Sequence, residues 1–245
     1  MPVLSDNRFS NAFAINSADI LLFRTAFPMS VPSIDQGLRT QICRGAQSLE
    51  LSITDQQADL LTRYVQLLAK WNKAYNLTAI RDPKEMVSRH IVDSLSIVPH
   101  ITGDNLLDVG SGPGLPGVVL AIMFPGKKIT TLDSNGKKTR FMSQAKMDLK
   151  LDNLQVANAR VESFEVKHLF DAITSRAFSS LEDMVAGTKH LLEPTGVYLA
   201  MKGLYPEEEL KALTNRFGTE LVACESLNVP GTEGDRHLII LRNRH

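Results

Sequence analysis

One stretch decides the fold of this 245-residue chain: Leu106-Leu107-Asp108-Val109-Gly110-Ser111-Gly112-Pro113-Gly114-Leu115-Pro116-Gly117. Its apolar start predicts a buried strand. The four glycines that follow let the backbone lie close to a nucleotide-like ligand before a helix begins. Thr130-Thr131-Leu132-Asp133 predicts a second strand that ends in an acid, and such an acid can bind the hydroxyls of a ribose. Together the two strands predict a nucleotide-binding edge on a parallel sheet.

Two cofactors fit the glycine spacing, because Gly112-x-Gly114-x-x-Gly117 is compatible with NAD and with S-adenosylmethionine. Asp108, two residues before the first glycine, would repel a pyrophosphate but could help to hold a cationic or amino-acid-bearing ligand. Pro113 and Pro116 remove amide donors that would receive a diphosphate at a helix N-terminus. The surrounding residues therefore favour S-adenosylmethionine.

Strand and helix patterns alternate after Ile101, which predicts an α/β fold with right-handed crossovers and helices on both faces of a mostly parallel sheet. Asn228-Val229-Pro230-Gly231 supplies turn residues for an antiparallel return of the last strand. The seven predicted strands lie near 105–110, 128–133, 153–157, 170–174, 196–201, 220–227 and 237–242.

Three parts are predicted along the chain. Residues 1–45 are expected to form a weakly ordered extension without a signal peptide. Residues 46–100 form a helical module, in which Thr54 and Gln57 make a capping box and a second helix starts at about Pro83. Residues 101–245 form the sheet domain. Trp71, Tyr75 and His90 are expected to pack the module onto that domain. A substrate contact is the alternative for Asn72, Asn76 and His90.

Composition bounds the partners. The 27 Lys and Arg residues balance the 27 Asp and Glu residues, so a nucleic acid would have to meet a local basic face. Cys43 and Cys224 have no pairing or metal-ligand spacing and fit a reducing cytosol. We expect a cytoplasmic monomer with no membrane segment and, since the six histidines lack ligand spacing, no metal.

Four motifs occur together: Asp108–Gly117, Leu132-Asp133-Ser134, Ser175-Arg176-Ala177-Phe178 and Gly234-Asp235-Arg236-His237-Leu238. They resemble those of the bacterial 16S ribosomal RNA guanine-N7 methyltransferases of the small subunit, the glucose-inhibited division protein B family. The resemblance runs from about Leu51 to Arg242, and the first 45 residues lie outside it.

This resemblance implies a class I, Rossmann-like methyltransferase that uses S-adenosylmethionine. The implied acceptor is N7 of one guanine in 16S rRNA, nucleotide 527 of the 530 loop, so the expected partner is 16S rRNA or the small ribosomal subunit. Two alternatives remain open: a small-molecule methyltransferase or NAD enzyme on the same sheet, and a catalytically silent RNA- or ribosome-binding module.

The resemblance also implies a set of cofactor-binding residues. Asp133 would accept hydrogen bonds from the ribose hydroxyls, although it could instead cap the next helix. Glu162 would read the adenine edge beside the Val161 backbone, or it is a solvated acid. Leu115 would pack against the cofactor. The full set is Gly110, Gly112, Leu115, Asp133, Val161, Glu162 and Arg176.

The reaction itself needs no general base, because guanine N7 carries a lone pair and no proton. The chain has Ser175-Arg176-Ala177-Phe178 where an exocyclic-amine methyltransferase would carry an Asn-Pro-Pro-Tyr-like segment. Positioning should therefore dominate catalysis. We assign it to Arg176, which could bind guanine O6 or the cofactor carboxylate, and to Lys202.

Basic residues supply a candidate RNA surface on a chain without net charge. Part of it lies on the helix after the second strand, and part near other predicted strand ends. Each charged group could also belong to an ordinary solvated face, and Phe178 could belong to the core instead of stacking on a flipped base. The set is Lys137, Lys138, Arg140, Phe178, Lys202, Arg236 and His237.

Overall fold

The computed structural model describes residues 33–176, 178, 180–216 and 218–244. Residues 1–32 of the predicted extension lie outside the described residues. The remainder of that extension differs from the prediction, because helix α1, Gln36–Ser48, begins within it and is capped by the side chain of Asp35. The helical module therefore starts at Gln36 and not at residue 46.

The described chain contains a seven-stranded sheet in the order β3-β2-β1-β4-β5-β7-β6. Strands β1 to β5 are parallel, and β7 lies antiparallel between β5 and β6, which confirms the predicted antiparallel return. The strands are β1 Asn105–Val109, β2 Lys128–Asp133, β3 Leu154–Asn158, β4 Phe170–Ser175, β5 Leu192–Lys202, β6 Thr219–Ser226 and β7 His237–Asn243.

One predicted strand begins earlier than expected. β5 starts at Leu192 and not near residue 196, with a register irregularity opposite β4 between Phe170 and Ala172. A Cβ atom on Gly196 would lie 2.9 Å from the backbone oxygen of Asp171, so the two strands approach each other closely at this glycine. Gly196 is therefore a close contact inside the strand and not its first residue.

The helical module packs on one face of the sheet. Helix α2, Asp55–Tyr75, begins with the predicted capping box at Thr54 and ends at Asn76 in the left-handed conformation. Helix α3 starts as Pro83–Met86, continues as a π-helical segment Val87–Val92 and ends as Asp93–Leu95. A short 3₁₀ turn, Val98–His100, leads to the sheet.

Four further helices cover the sheet, and two hydrophobic clusters lie against its two faces. Adjacent residues of β1 point to opposite faces, so Leu106 belongs to the first cluster, with the helical module, and Leu107 to the second. Both are at most 1% exposed. The helices are α4 Gly117–Met123, α5 Gly136–Leu149, α6 Leu181–Thr188 and α7 Glu207–Arg216.

Aromatic side chains fasten the module to the sheet domain. Trp71 stacks on Tyr75 with ring centroids 5.2 Å apart and meets Phe141 of α5 edge-on at 5.8 Å. The buried Tyr64 hydroxyl donates to the carbonyl of Pro113 at 2.8 Å, so α2 supports the glycine loop directly. Burial raises the pKa of Tyr64, which keeps this donor protonated. Trp71 and Tyr75 thus have the packing role.

Within the described part of the chain, no helix combines the length and the apolar character needed to cross a lipid bilayer.

Gly117 provides a test of the close approach of β1, β2 and α4. A Cβ atom here would lie 2.4 Å from Thr131 Cγ2 and 2.8 Å from Asp108 Oδ2. We expect Gly117→Ala to lower the free energy of unfolding by about 1–3 kcal/mol, measured by urea denaturation, because the added methyl overpacks the site. Gly136→Ala is the control, since a Cβ atom there meets nothing within 4 Å. Equal midpoints for the two variants would contradict this packing.

Candidate functional site

The candidate residues collect at one edge of the sheet. The carboxyl ends of β1, β2, β4 and β5 lie there, and because β7 is antiparallel, its first residues reach the same edge. In open sheets of this kind, ligands bind beyond the carboxyl ends of the strands.

The loop after β1 depends on its glycines. Gly110, Gly112 and Gly114 have φ angles of 67°, 60° and 104°, which side chains of L-residues rarely adopt. The amides of Gly110 and Ser111 donate to the carbonyl of Leu132 at 2.8 and 3.2 Å, so the loop folds back over the end of β2. A Cβ atom on Gly112 would meet nothing within 4 Å, which leaves open space beside the loop.

Asp133 holds this loop in place. Its Oδ2 accepts from the Gly112 amide at 2.9 Å and its Oδ1 from the Asn135 amide at 2.8 Å, while Lys138 Nζ lies 3.7 Å from Oδ2. The alternative assignment of Asp133 as a helix cap is wrong, because Asn135 caps α5 through its own side chain. The structure thus joins three predicted positions, Gly110, Gly112 and Asp133, in one unit.

Asp108 lies under the same loop and is 1% exposed. Its Oδ2 accepts from the Gly117 amide at 2.8 Å, but its buried Oδ1 has no hydrogen-bond partner in the described structure. Burial raises the pKa of this carboxyl to about 7, against the lowering effects of its hydrogen bonds and of Arg176. The site therefore contains a buried acid that a cationic ligand would help to ionise.

The other predicted cofactor residues lie in different surroundings. Leu115 is buried in the first hydrophobic cluster, so its side chain packs on core residues, and its contact with a cofactor stays a prediction. After β3, the turn Val161–Ser163 places Val161 partly buried against the second cluster and Glu162 exposed. β3 neighbours β2, so this turn lies on the same side of the loop as Asp133.

A cavity of about 340 Å³ opens at the ends of β4 and β5, and four predicted residues meet there: Arg176, Lys202, Arg236 and His237. Because β4 is next to β1, Arg176 is close enough to Asp108 to affect the pKa of that carboxyl. The remaining lining residues are Ile80, Arg89, His90, Asp93, Met201, Gly203 and Leu227.

Two acids that hold these cations were not predicted from the sequence. Asp93 accepts from Arg176 Nη1 at 3.0 Å and from Arg236 Nε at 3.3 Å. Glu209 of α7 accepts from Lys202 Nζ at 3.0 and 3.1 Å. Asp93 lies three residues after His90 and four after Arg89 on α3, and this spacing was the available signal for one polar helix face.

His90 is a neutral side chain in the cavity wall. Its Nδ1 lies 3.0 Å from the Arg89 carbonyl, which can only accept, so Nδ1 carries the proton and Nε2 accepts from the Thr78 hydroxyl at 2.9 Å. Burial, with a contribution from Arg176, lowers the pKa of His90 to about 4. Asn72 fixes the same segment, because its side chain accepts from the Thr78 amide and donates to the Ile80 carbonyl.

The predicted RNA-binding residues on α5 lie outside the cavity lining. Lys137 and Arg140 are exposed, and Lys138 is partly buried beside Asp133. Phe178 is partly buried and packs against the second hydrophobic cluster. Of its two alternative roles, a core residue or a residue that stacks on a flipped base, this packing matches the core role. Among the described residues, no three His, Cys, Asp or Glu side chains come together in a group that could hold a metal ion.

This strand order, with a glycine loop over an acid at the end of β2, defines a class I methyltransferase fold. A solved glycopeptide N-methyltransferase, MtfA complexed with (S)-adenosyl-L-methionine, has a TM-score of 0.55 at 12% identity over 64% of this chain and 88% of that chain. TrmN from Thermus thermophilus has a TM-score of 0.51 at 17% identity, over 71% of this chain and 53% of that chain. At these identities the likeness concerns the fold alone.

The sequence itself is much closer to one family. Residues 57–239 match the GidB family, described as rRNA small subunit methyltransferase G. The chain belongs to this family. The ribosomal RNA small subunit methyltransferase G of Stutzerimonas stutzeri (strain A1501) is 58% identical over 204 residues, which are 82% of this chain and 94% of the relative. The ribosomal RNA small subunit methyltransferase G of Pseudomonas aeruginosa (strain UCBPP-PA14) is 57% identical over 212 residues, which are 86% of this chain and 98% of the relative.

The buried carboxyl of Asp108 gives a pH-dependent stability. Its pKa is about 7 in the folded protein and 3.8 without the shift, so between these values the folded state binds one proton more than the unfolded state. Stability then falls as the pH rises, by at most about 1.4 kcal/mol per pH unit. Since Asn cannot ionise, we expect Asp108→Asn to gain stability relative to wild type from about pH 4 to about pH 7.

Urea unfolding of both proteins at several pH values measures this difference. The low pKa of His90 acts in the opposite direction but is present in both proteins, so it cancels from the comparison. Parallel pH profiles would show that Asp108 does not titrate in this window.

Proposed function

We propose that this protein transfers a methyl group from S-adenosylmethionine to N7 of one guanine in 16S rRNA, with the 530 loop as the target. The observation that carries the proposal is the junction of the Asp133-bound glycine loop with a cationic cavity at the same sheet edge. The glycine loop suits a nucleoside, and the cationic cavity suits an RNA nucleotide. The names of the family and of its relatives support the RNA as acceptor.

The residues around the loop fit the cofactor. Asp133 would accept from the ribose hydroxyls, since its carboxylate binds the amide of Gly112, a glycine with open space at its Cβ position. The unpartnered Oδ1 of Asp108 suits the cationic amino group of the cofactor's methionine end. Val161 and Glu162, in the turn after β3, would read the adenine. When bound, S-adenosylmethionine supplies a methyl group on a sulfonium that needs no further activation.

The cavity fits the acceptor. Its volume of about 340 Å³ lies within the usual range for ligand pockets, and its guanidinium and ammonium groups match guanine O6 and the adjoining phosphates. Arg176 lines this cavity and is close enough to Asp108 under the loop to affect the pKa of that carboxyl, which supports a role for Arg176 in orienting the base. Lys202, held by Glu209, and Arg236 complete the cationic wall.

The reaction requires no general base. Both ring nitrogens of His90 are engaged in hydrogen bonds, and the carboxylate of Asp93 in the same wall is paired with Arg176 and Arg236. Guanine N7 attacks through its lone pair, so the protein contributes by aligning N7 with the methyl carbon and by excluding water. We further propose that the protein acts as a cytoplasmic monomer, without a metal ion and away from membranes.

The test uses radiolabelled S-adenosylmethionine and small ribosomal subunits from cells that lack this protein. We expect label on one guanine N7 of 16S rRNA, located by mapping the labelled nucleotide. Transfer to a small molecule without RNA would indicate the small-molecule alternative. RNA binding without transfer, despite bound cofactor, would indicate a silent binding module.

Asp133 tests the cofactor assignment. Loss of two charge-assisted hydrogen bonds to a ribose should weaken the binding of S-adenosylmethionine by Asp133→Ala about 10- to 100-fold, measured by calorimetry. Asp152→Ala is the matched control, since Asp152 is an exposed acid between α5 and β3. Unchanged cofactor affinity in Asp133→Ala would contradict the assignment.

The basic face of α5 tests the RNA assignment. The double variant Lys137→Gln/Arg140→Gln removes two exposed charges, so RNA affinity should fall and its logarithmic salt dependence should flatten by about 1 per lost phosphate contact. Lys211→Gln on α7 removes a charge from another exposed helix and should leave both quantities unchanged. If the double variant and wild type bind RNA with the same affinity at every salt concentration, α5 does not contact RNA.

A further inference from the structure

Asp93 has an unusual position, because it is the acid among the described residues that line a basic cavity. It is 4% exposed, and Arg89, Arg176, Lys202 and Arg236 share the same lining. A negative charge here opposes the attraction of the cavity for phosphate. The presence of Asp93 in the wall that we propose to bind RNA therefore indicates a role other than increasing RNA affinity.

The carboxylate joins three distant parts of the chain. Oδ2 accepts from Arg176 Nη1 at 3.0 Å, and Oδ1 accepts from Arg236 Nε at 3.3 Å. Arg176 Nη1 also lies 3.3 Å from the Arg89 carbonyl, and the Asp93 carbonyl accepts from the Ser96 hydroxyl at 2.6 Å. The acid is thus fixed on α3, and it fixes one guanidinium after β4 and another before β7.

We propose that Asp93 is a positioning residue, which holds Arg176 and Arg236 in the orientation that aligns the acceptor nucleotide for methyl transfer. The proposal rests on the proposed function. Two guanidinium groups within 3.3 Å of one carboxylate repel each other once that charge is removed, and each side chain then gains rotational freedom. A displacement of about 1 Å in such a group can slow a positioned reaction about 100-fold.

The proposal predicts a separation of binding from turnover. Asp93→Asn preserves the shape of the side chain but leaves the cavity one charge more positive, so RNA should bind equally or more tightly, with a salt dependence steeper by up to about 1. The turnover number should nevertheless fall about 10- to 100-fold. A residue that merely held the module in place would lower binding and turnover together.

The experiment compares wild type, Asp93→Asn, Asp93→Glu and Glu233→Gln. It measures kcat and KM for small subunits from cells lacking the protein, RNA affinity against salt, and the dissociation constant of S-adenosylmethionine. Glu233→Gln is the matched control, because this exposed acid lies three residues before Arg236 and its loss changes the charge equally. We expect it to keep the wild-type kcat. Asp93→Glu keeps the charge but moves the carboxylate, so it should keep wild-type RNA affinity and lose part of kcat.

Three outcomes would overturn the proposal. One is a wild-type kcat in Asp93→Asn, and another is a fall in RNA affinity that accompanies the fall in kcat. The third is a loss of S-adenosylmethionine binding that parallels the loss of kcat, which would assign Arg176 to the cofactor. If Asp93→Asn does not fold, Asp93→Glu tests the proposal instead: a reduced kcat at wild-type RNA affinity would support it, and a wild-type kcat would overturn it. Failure of wild type to methylate the subunits would instead refute the proposed function.

Discussion

The hydrogen bond from the Gly112 amide to Asp133 Oδ2, 2.9 Å long, is the contact on which the rest of the site depends. It ties the loop after β1 to the end of β2 at a backbone conformation that side chains of L-residues rarely adopt. Tyr64 supports the loop from the opposite side through the Pro113 carbonyl, and Asp108 supports it from below through the Gly117 amide. The loop is therefore held by groups from the helical module and from two strands.

The helical module is part of the site and not an appendage. α3 brings Arg89, His90 and Asp93 to the cavity, while the sheet brings Arg176 and Arg236. One carboxylate compensates two guanidinium charges in a partly buried place, where an unpaired charge would be costly. Lys202 has a similar arrangement, because Glu209 also accepts from the Leu181 amide at the start of α6. The side chains of Arg176, Arg236 and Lys202 are thus bound to the scaffold.

Local sequence patterns were sufficient to predict most of the fold. The seven strands, the antiparallel return and the capping box at Thr54 follow from periodicity and turn residues within a few positions. The glycine loop and Asp133 were predictable for the same reason, since both ends of their contact belong to adjacent strands. Asp93 and Glu209 were not, because an acid on a helix is most often solvated and its partners are set by tertiary packing. The early start of α1 and the burial of Leu115 likewise depend on the packing of the helical module.

The bonds made by Asp93 also determine when the cavity can form during folding. Its two partners lie 83 and 143 residues further along the chain, separations far larger than those within a helix or a hairpin. Such contacts form only after long loops have closed, and this closure slows folding. A chain that has made its helices but not yet placed β7 beside β5 carries the same basic side chains without a common cavity. The basic cavity is thus a property of the completed sheet and arises late.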